Sequence, residues 1–412
     1  MTVMAEPLRT EAPQWYPAWS REDGESGAGA LFSATFGTTA STIRSVPGRV
    51  TIIGDHTDYA AGLCLATVVA QRTYVAARPR DDGRFRVISA QAGQVDGPSG
   101  VWEGNVADLD TAPGDGWVRH VAGVLWELIE RGFQPRGIDI AIDSCVPIGA
   151  ALGSSSALQC AVALVANDCW SLLLDSPRGR FELAEAAIDA EAQFVGVPTG
   201  GLDQHCDLQC LPGEAVLLDF ATSPPTVTHQ PLYFPGYGLS LLVIDTRTSN
   251  ECRTDEYVKR RRSSELAAQA LGAANLREVF ESPHWLRRVN RLTDPVLRAR
   301  ARHVVTELHR VLLVTAELNG TAPAHERFVD VGRALFRSHA SLDTDYGVST
   351  EALNLAVETA FNAGALGARM EGAGFGGSAI ALVRTSQADA TARAIDEAFV
   401  ARGLTRPVFL TV

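Results

Sequence analysis

The sequence predicts a mixed helix-and-strand protein of two or three domains, and three observations carry that expectation. The chain has 412 residues, which at roughly 100–200 residues per domain gives two or three bodies and a core able to fold without staples. Between Gly137 and Leu173 an alternating apolar run gives way to small residues and then to an apolar segment of helical period. From Ser349 onward, helix-like and strand-like segments alternate to Val412.

Composition narrows the class. Apolar residues make up 46% and charged residues 20%, ordinary for a globular chain and too apolar for general disorder. Lys plus Arg total 36 against 48 Asp plus Glu, a net charge of -12 that argues against broad nucleic-acid or anionic-membrane binding. The basic run Lys259 to Arg262 sits among Glu256 and Glu265 and reads as a solvated helical face with one or two arginines docked inward. The most apolar stretch is interrupted at Asn167 and Asp168, short of the roughly 18 residues of a membrane helix. Glu6 and Glu11 stand where a secretory signal would be basic and then apolar, so neither membrane nor export is expected. The 7 cysteines are scattered and fit a reducing cytoplasm. His205, Cys206 and Cys210 have no second Cys or His pair near them in sequence and are read as core rather than metal ligands.

Taken in order, residues 1–28 are rich in Pro, Glu, Ser and Gly without a sustained period and read as a poorly ordered extension, which Trp15, Tyr16 and Trp19 could pin to the body. Residues 46–66 form an apolar strand (Val50, Ile52, Ile53) broken by the polar cluster Gly54-Asp-His-Thr-Asp-Tyr59. Arg49, Asp55, His56 and Asp58 are costly to desolvate without partners. Their donors and acceptors suit a polyhydroxyl ligand, although a solvated Asx-type turn uses the same residues.

Ile138, Ile140 and Ile142 alternate as in a strand, a turn follows from Pro147 to Gly153, and Ser154 to Ser156 stand as N-cap and first turn of a helix over 157–173. Such a helix end offers free N–H groups and the positive end of the dipole, the arrangement that binds phosphate, with serine hydroxyls able to ligate magnesium. An ordinary capped helix reads as well, and without a following Gly-Lys-Ser/Thr this is not a Walker A loop. Asp203 follows two glycines, a place for a cap or, beside phosphate and sugar sites, for a general base. Ser349 or Thr350 caps a helix from Glu351 towards Gly364. The glycine loop 371–377, either a plain turn or a wrap around an anion, leads into a strand at Ala379 to Val383. Ser386 then opens a helix that Gly403 closes, before a last strand over 407–412.

The order and spacing of these segments match a known family. Pro47 to Tyr59 resembles the galactokinase signature, and Pro147 to Ala157 resembles the phosphate loop of the wider GHMP small-molecule kinases. Glu371 to Gly377 is similar to the C-terminal glycine motif of that superfamily. Ser249-Asn250, Glu256-Tyr257 and Arg260-Arg261 are similar to a Tyr-bearing galactokinase segment, and the likeness runs from about Leu31 to the C-terminus.

This resemblance implies a two-domain α+β GHMP kinase fold, with an S5-like domain over 29–215, a ferredoxin-like domain over 216–412 and the active site between them. It implies ATP on the loop 147–157, around Gly149, Gly153, Ser154, Ser155 and Ser156, with Gly374 from the C-terminal loop. Mg2+ would sit on Ser155 and Glu191, and the sugar among Asp55, His56, Asp58, Gly200 and Tyr257. Asp203 would be the base facing the anomeric hydroxyl, with Arg49 beside it as charge stabiliser. The implied reaction moves the γ-phosphoryl of ATP to C1 of galactose or a relative, in a cytoplasmic monomer with no nucleic-acid or membrane partner. The chain also departs from the pattern. Asp55 replaces a Glu and is one methylene short, Thr51 replaces Asn, Ala60 stands where Asn is common and Ala66 replaces a frequent Pro. Ala151 replaces Gly, a modest change if its φ stays negative. Glu371 replaces Thr, where a carboxylate facing a triphosphate would repel it unless a metal or Arg369 compensates or the side chain points away. These departures motivate two alternatives: a kinase for another sugar or polyol, and a non-catalytic sugar and nucleotide sensor on the same fold.

Overall fold

Two sheets divide the strands of the computed structural model, which describes residues 12–111, 114–248 and 253–412. In chain order the strands are β1 (Gln14–Trp15), β2 (Thr42–Ile53), β3 (Leu63–Arg80), β4 (Arg84–Ser89), β5 (Trp102–Asn105) and β6 (Gly137–Ser144). They continue with β7 (Glu214–Asp219), β8 (Thr226–Pro231), β9 (Leu239–Asp245), β10 (Gly367–Met370), β11 (Ser378–Arg384) and β12 (Val408–Thr411).

The first sheet runs β5-β4-β6-β3-β7-β8, with β2 also paired to β3. The long β3 is its spine: its first half pairs with β7, its second half with β6, and β2 lies along most of it. Its residues from Leu63 to Val69 are buried on both faces, which explains a run too apolar for simple alternation. The helix Ser154–Trp170 covers one face of β2 and β3, and the helix Arg21–Phe36 packs on β6 and β3. The second sheet runs β12-β9-β11-β10, antiparallel throughout, which is the strand order of a ferredoxin-like unit, and β1 adds to it in parallel on β12. The helix Pro295–Asn319 packs against β2, β3 and β8, and the helix Ala324–Ser341 against β10 and β2, so these two helices bind the sheets to each other.

Several expectations need correction. The stretch 1–28 is not an unstructured extension in its described part, because β1 lies within it and the helix Arg21–Phe36 begins there, capped by Ser20. That helix approaches the sheet closely: a β-carbon on Gly24 would fall 2.1 Å from the Tyr74 ring. Trp15 lies 5.6 Å from the Phe409 ring, Trp19 stacks on Tyr74, and the Tyr16 hydroxyl donates to Asp245 at 2.7 Å. A domain break at 215/216 would cut β7, which pairs with both β3 and β8; the first sheet therefore extends to Pro231, and the chain crosses over before β9. Gly153, in a left-handed conformation, is the N-cap before Ser154, so the serines are the first turn only. Thr350 caps its helix through Leu353 N, and the last helix begins at Ala388 after a short 3-10 turn that contains Ser386. Ser249-Asn250 lies outside the described residues.

Candidate active site

The end of β2, the loop before Ser154, the helix Leu202–Gln209 and the turn after β10 meet at one cleft of about 310 Å³. At its floor is Arg49, buried at 6% exposure. Its Nε and Nη2 donate to Asp203 Oδ1 and Oδ2 at 2.7 and 2.6 Å, a fork-on-fork pair. Its Nη1 donates to Ala151 O at 2.6 Å and to Glu371 Oε1 at 2.5 Å. Burial opposes the Arg49 charge, but its acceptors, Asp203 foremost, outweigh it and hold the guanidinium protonated. The Asp203 side chain is 30% exposed and faces the cleft.

One wall is polar and aromatic. His56 sits at φ 64, a conformation left-handed for a non-glycine residue. Its Nε2 lies 3.2 Å from Ala373 O, which can only accept, so Nε2 carries the proton and donates. Nδ1 is then the acceptor for the Tyr59 hydroxyl at 2.9 Å, and Tyr59 in turn accepts from Tyr346 at 2.8 Å. Burial pushes His56 down to about 3, consistent with this neutral ring. Asp58 is pushed up to about 6, chiefly by burial and then by the charges of Asp203 and Asp55. Gly200 passes so close that a β-carbon there would lie 1.9 Å from Asp58 Oδ2. Tyr257 lies 5.8 Å from the His56 ring and lines the same cleft.

Another part of the lining is the N-terminus of the helix Ser154–Trp170. Gly149, Gly153, Ser154 and Ser155 line the cleft, and no side chain caps this helix end, so its N–H groups are free for an anion. Ser155 Oγ donates to Glu191 Oε1 at 3.5 Å, and Gln204 Nε2 donates to Glu191 Oε2 at 2.5 Å. Glu191 lies in a π-helical turn, a bulge that aims it inward, and burial with the nearby Asp203 charge pushes it up to about 7.

Three family models match the chain: a galactokinase galactose-binding signature over residues 30–79, a GHMP kinase N-terminal domain over 119–208 and a GHMP kinase C-terminal domain over 321–401. The chain is 39% identical over 390 residues to a Streptomyces coelicolor galactokinase, covering 93% of this chain and 96% of that one. The chain belongs to the galactokinase family. A Mycobacterium bovis galactokinase is 38% identical over 365 residues, 88% of this chain and 94% of that one. The solved Lactococcus lactis galactokinase, complexed with galactose, superposes with a TM-score of 0.82 at 27% identity over 94% of this chain and 97% of its own. A Methanococcus jannaschii mevalonate kinase, with a TM-score of 0.58 at 14% identity over 90% and 97% of the two chains, shares the fold. As a galactokinase-family member the chain is an ATP-dependent sugar kinase that uses ATP and Mg2+.

The residues fit those groups. Ser155 and Glu191 present hard oxygen donors side by side, and a divalent cation would oppose the burial that pushes the Glu191 carboxyl up. Among the described residues no three His, Cys, Asp or Glu side chains form a cage, so phosphate oxygens and water would complete the shell. A second cavity of about 370 Å³, walled by Val95, Trp117, His120, Ile148 and Leu158, also reaches Ser154 and Ser155. One side of it, Ile148 with Ser154 and Ser155, belongs to the loop 147–157 legible in the sequence; the side formed by Val95, Trp117 and His120 carries no motif and was not.

Other positions differ from the family-based expectation. Ser156 is fully buried, with its hydroxyl on Gly153 O, and Gly374 packs on Val348; Gly372 and Ala373 line the cleft instead. Ala151 has φ 63, not a negative value, so its methyl group is strained. Asp55 lines the cleft with the other expected sugar-site residues, and it also pairs with the fully buried Arg369 at 2.6 Å. Arg369 is therefore committed to Asp55, and it is Arg49 that meets Glu371. Glu371 is fully buried and turned onto Arg49 and Thr51 N, so the repulsion of phosphate that motivated a sensor does not arise. His205, Cys206 and Cys210 are buried, with His205 Nε2 on Glu185, and among the described residues every cysteine is free. No helix of the described residues is long and apolar enough to cross a membrane.

Proposed function

We propose that this chain phosphorylates galactose at its anomeric hydroxyl, with Asp203 as general base and Arg49 as the cation that steadies the developing charge. The observation that carries the reading is the Arg49–Asp203 fork, set where a polar cleft and an apolar cavity meet at the uncapped helix end of Ser154 and Ser155. In this reading the sugar occupies the polar cleft, and Asp58, neutral His56 and Tyr257 supply its acceptors and donors. The nucleoside fits the apolar cavity, and its phosphates reach the free N–H groups of Ser154 and Ser155. Asp203 takes the proton from the C1 hydroxyl as that oxygen bonds to the γ-phosphorus and the β–γ bridging oxygen leaves with ADP. Ser155 and Glu191 would hold Mg2+, which neutralises phosphate charge when bound. Positioning supplies most of the rate in such a transfer, which is why the chain fixes Arg49 from three sides.

The test combines two measurements. ADP release with Mg-ATP across galactose, its 2-deoxy and 2-amino analogues, arabinose and glucose should be fastest with galactose and give an anomeric phosphate by phosphorus NMR. Asp203→Ala should lower kcat by about 10²–10⁴-fold with ATP binding retained. Faster turnover of another acceptor, or an active alanine variant, overturns the respective assignment.

A further inference from the structure

We propose that Glu371 is a positioning residue for the phosphoryl transfer: as a hydrogen-bond acceptor it fixes the Arg49 guanidinium on the edge that grips Asp203. The proposal rests on the reading of Asp203 and Arg49 given above.

The donor inventory of Arg49 makes the case. A guanidinium carries five N–H bonds in a rigid plane. Nε–H and one Nη2–H go to Asp203. Nη1 makes two bonds, one to Ala151 O and one to Glu371 Oε1. Four of the five N–H bonds are thus engaged within the protein. Asp203, the partner on the open side, is 30% exposed and cannot by itself orient the group, whereas Glu371 is fully buried. The same Oε1 accepts from Thr51 N at 3.1 Å. Arg49 and Thr51 are two residues apart on β2 and share a face. Oε1 therefore bridges the Arg49 head group to the backbone of its own strand. Glu371 is in turn held from the second sheet, directly after β10, with its own N–H on Ser378 O at 2.9 Å. The pose of the guanidinium is thus referenced to both sheets at once.

The acceptor, rather than a full negative charge, is what this geometry uses. Glu371 Oε2 has no hydrogen-bonding partner and is buried. An unpaired charge there would cost far more than a neutral carboxyl. Burial pushes the group up to about 8, against the pull of Arg49. A neutral carboxyl with its proton on Oε2 still presents Oε1 to Arg49 and Thr51, and so does a glutamine.

Steady-state kinetics of the full chain with Mg-ATP and galactose tests this. Glu371→Gln should keep kcat within about threefold of the parent, while Glu371→Leu should lose about 10–100-fold in kcat with both KM values held within about threefold. If circular dichroism shows the leucine variant unfolded, Glu371→Ala, which has no acceptor, is measured in its place with the same expected loss. Unchanged kcat without the acceptor, a glutamine variant as slow as the leucine one, or a rise in KM at constant kcat overturns the proposal. The two readings fail separately. Turnover by Asp203→Ala removes the base assignment itself, whereas an inactive Asp203→Ala beside an unimpaired Glu371→Leu removes only the role of Glu371.

Discussion

Gly200 and Asp58 illustrate how single atoms set the sugar cleft. A methyl group on Gly200 would stand 1.9 Å from Asp58 Oδ2, so Gly200→Ala must displace that carboxylate. The expected result is a rise of about tenfold or more in the galactose KM with the nucleotide KM unchanged, because a misplaced acceptor loses its hydrogen bond to the sugar. Equal effects on both substrates would mean a general disturbance instead. Asp58 also predicts a pH dependence. Burial raises its carboxyl to about 6, so it gains a proton as pH falls through that value and stops acting as a full acceptor. The galactose KM should rise about tenfold from pH 7 to pH 5, and Asp58→Asn should flatten that slope. A wild-type KM that ignores pH would remove Asp58 from the sugar contacts. Arg49, His56 and Asp58 were legible in the sequence because charged groups on an apolar strand demand partners, and Asp203 through its place after two glycines. Which partners they find was not: Glu371 lies 322 residues from Arg49, and nothing local to either residue sets that pairing.

Elements were legible where they obey a simple period. β6, the small-residue loop and the helix Ser154–Trp170 fall where the alternation and the serine cluster put them. The helix Arg21–Phe36 did not, because the residues it buries are Gly24, Ala28 and Phe32, a stripe of mostly small side chains with little apolar signal. Small residues there let the helix settle onto Tyr74, so tertiary packing rather than propensity forms the element. The phosphate loop carries its own cost. Ala151 adopts φ 63, and its methyl lies 2.9 Å from where a β-carbon on Gly377 would be. Left-handed alanine costs about 1–2 kcal/mol, and glycine returns part of that gain as unfolded-chain entropy. Ala151→Gly should therefore stabilise the chain by about 0.5–1 kcal/mol in urea unfolding. A loss of stability would show that the methyl packs favourably enough to offset its strain.

At the scale of the whole molecule, the sugar motif is held by the other sheet. Arg369 leaves β10 fully buried and donates to Thr51 O and Ile52 O on β2 at 3.3 Å, while its Nη2 pairs with Asp55 at 2.6 Å. Its Nε donates to Ser338, whose hydroxyl donates to Glu307, and Glu307 also accepts Gly54 N at 3.1 Å and pairs with Arg310. One buried network thus joins β2, β10 and the two helices between the sheets. The two-domain α+β plan was legible through family likeness, but this joint was not, because its members are spread from Thr51 to Arg369. Asp55 shows why the joint matters: burial pushes its carboxyl up, and Arg369 supplies the main opposing pull. Arg369→Met keeps the volume but strands a buried carboxylate, and should cost about 3–5 kcal/mol in urea unfolding. Asp55→Asn in the same chain removes the stranded charge, so the double variant should be more stable than the Arg369→Met single variant by at least about 1 kcal/mol. If the two costs simply add, the pair is not coupled, and the sheets are held together by apolar packing around it. If they couple as expected, a short Asp at position 55 is explained by its partner: it reaches Arg369 across the sheet junction, and the sugar cleft is shaped by the same bond that closes the fold.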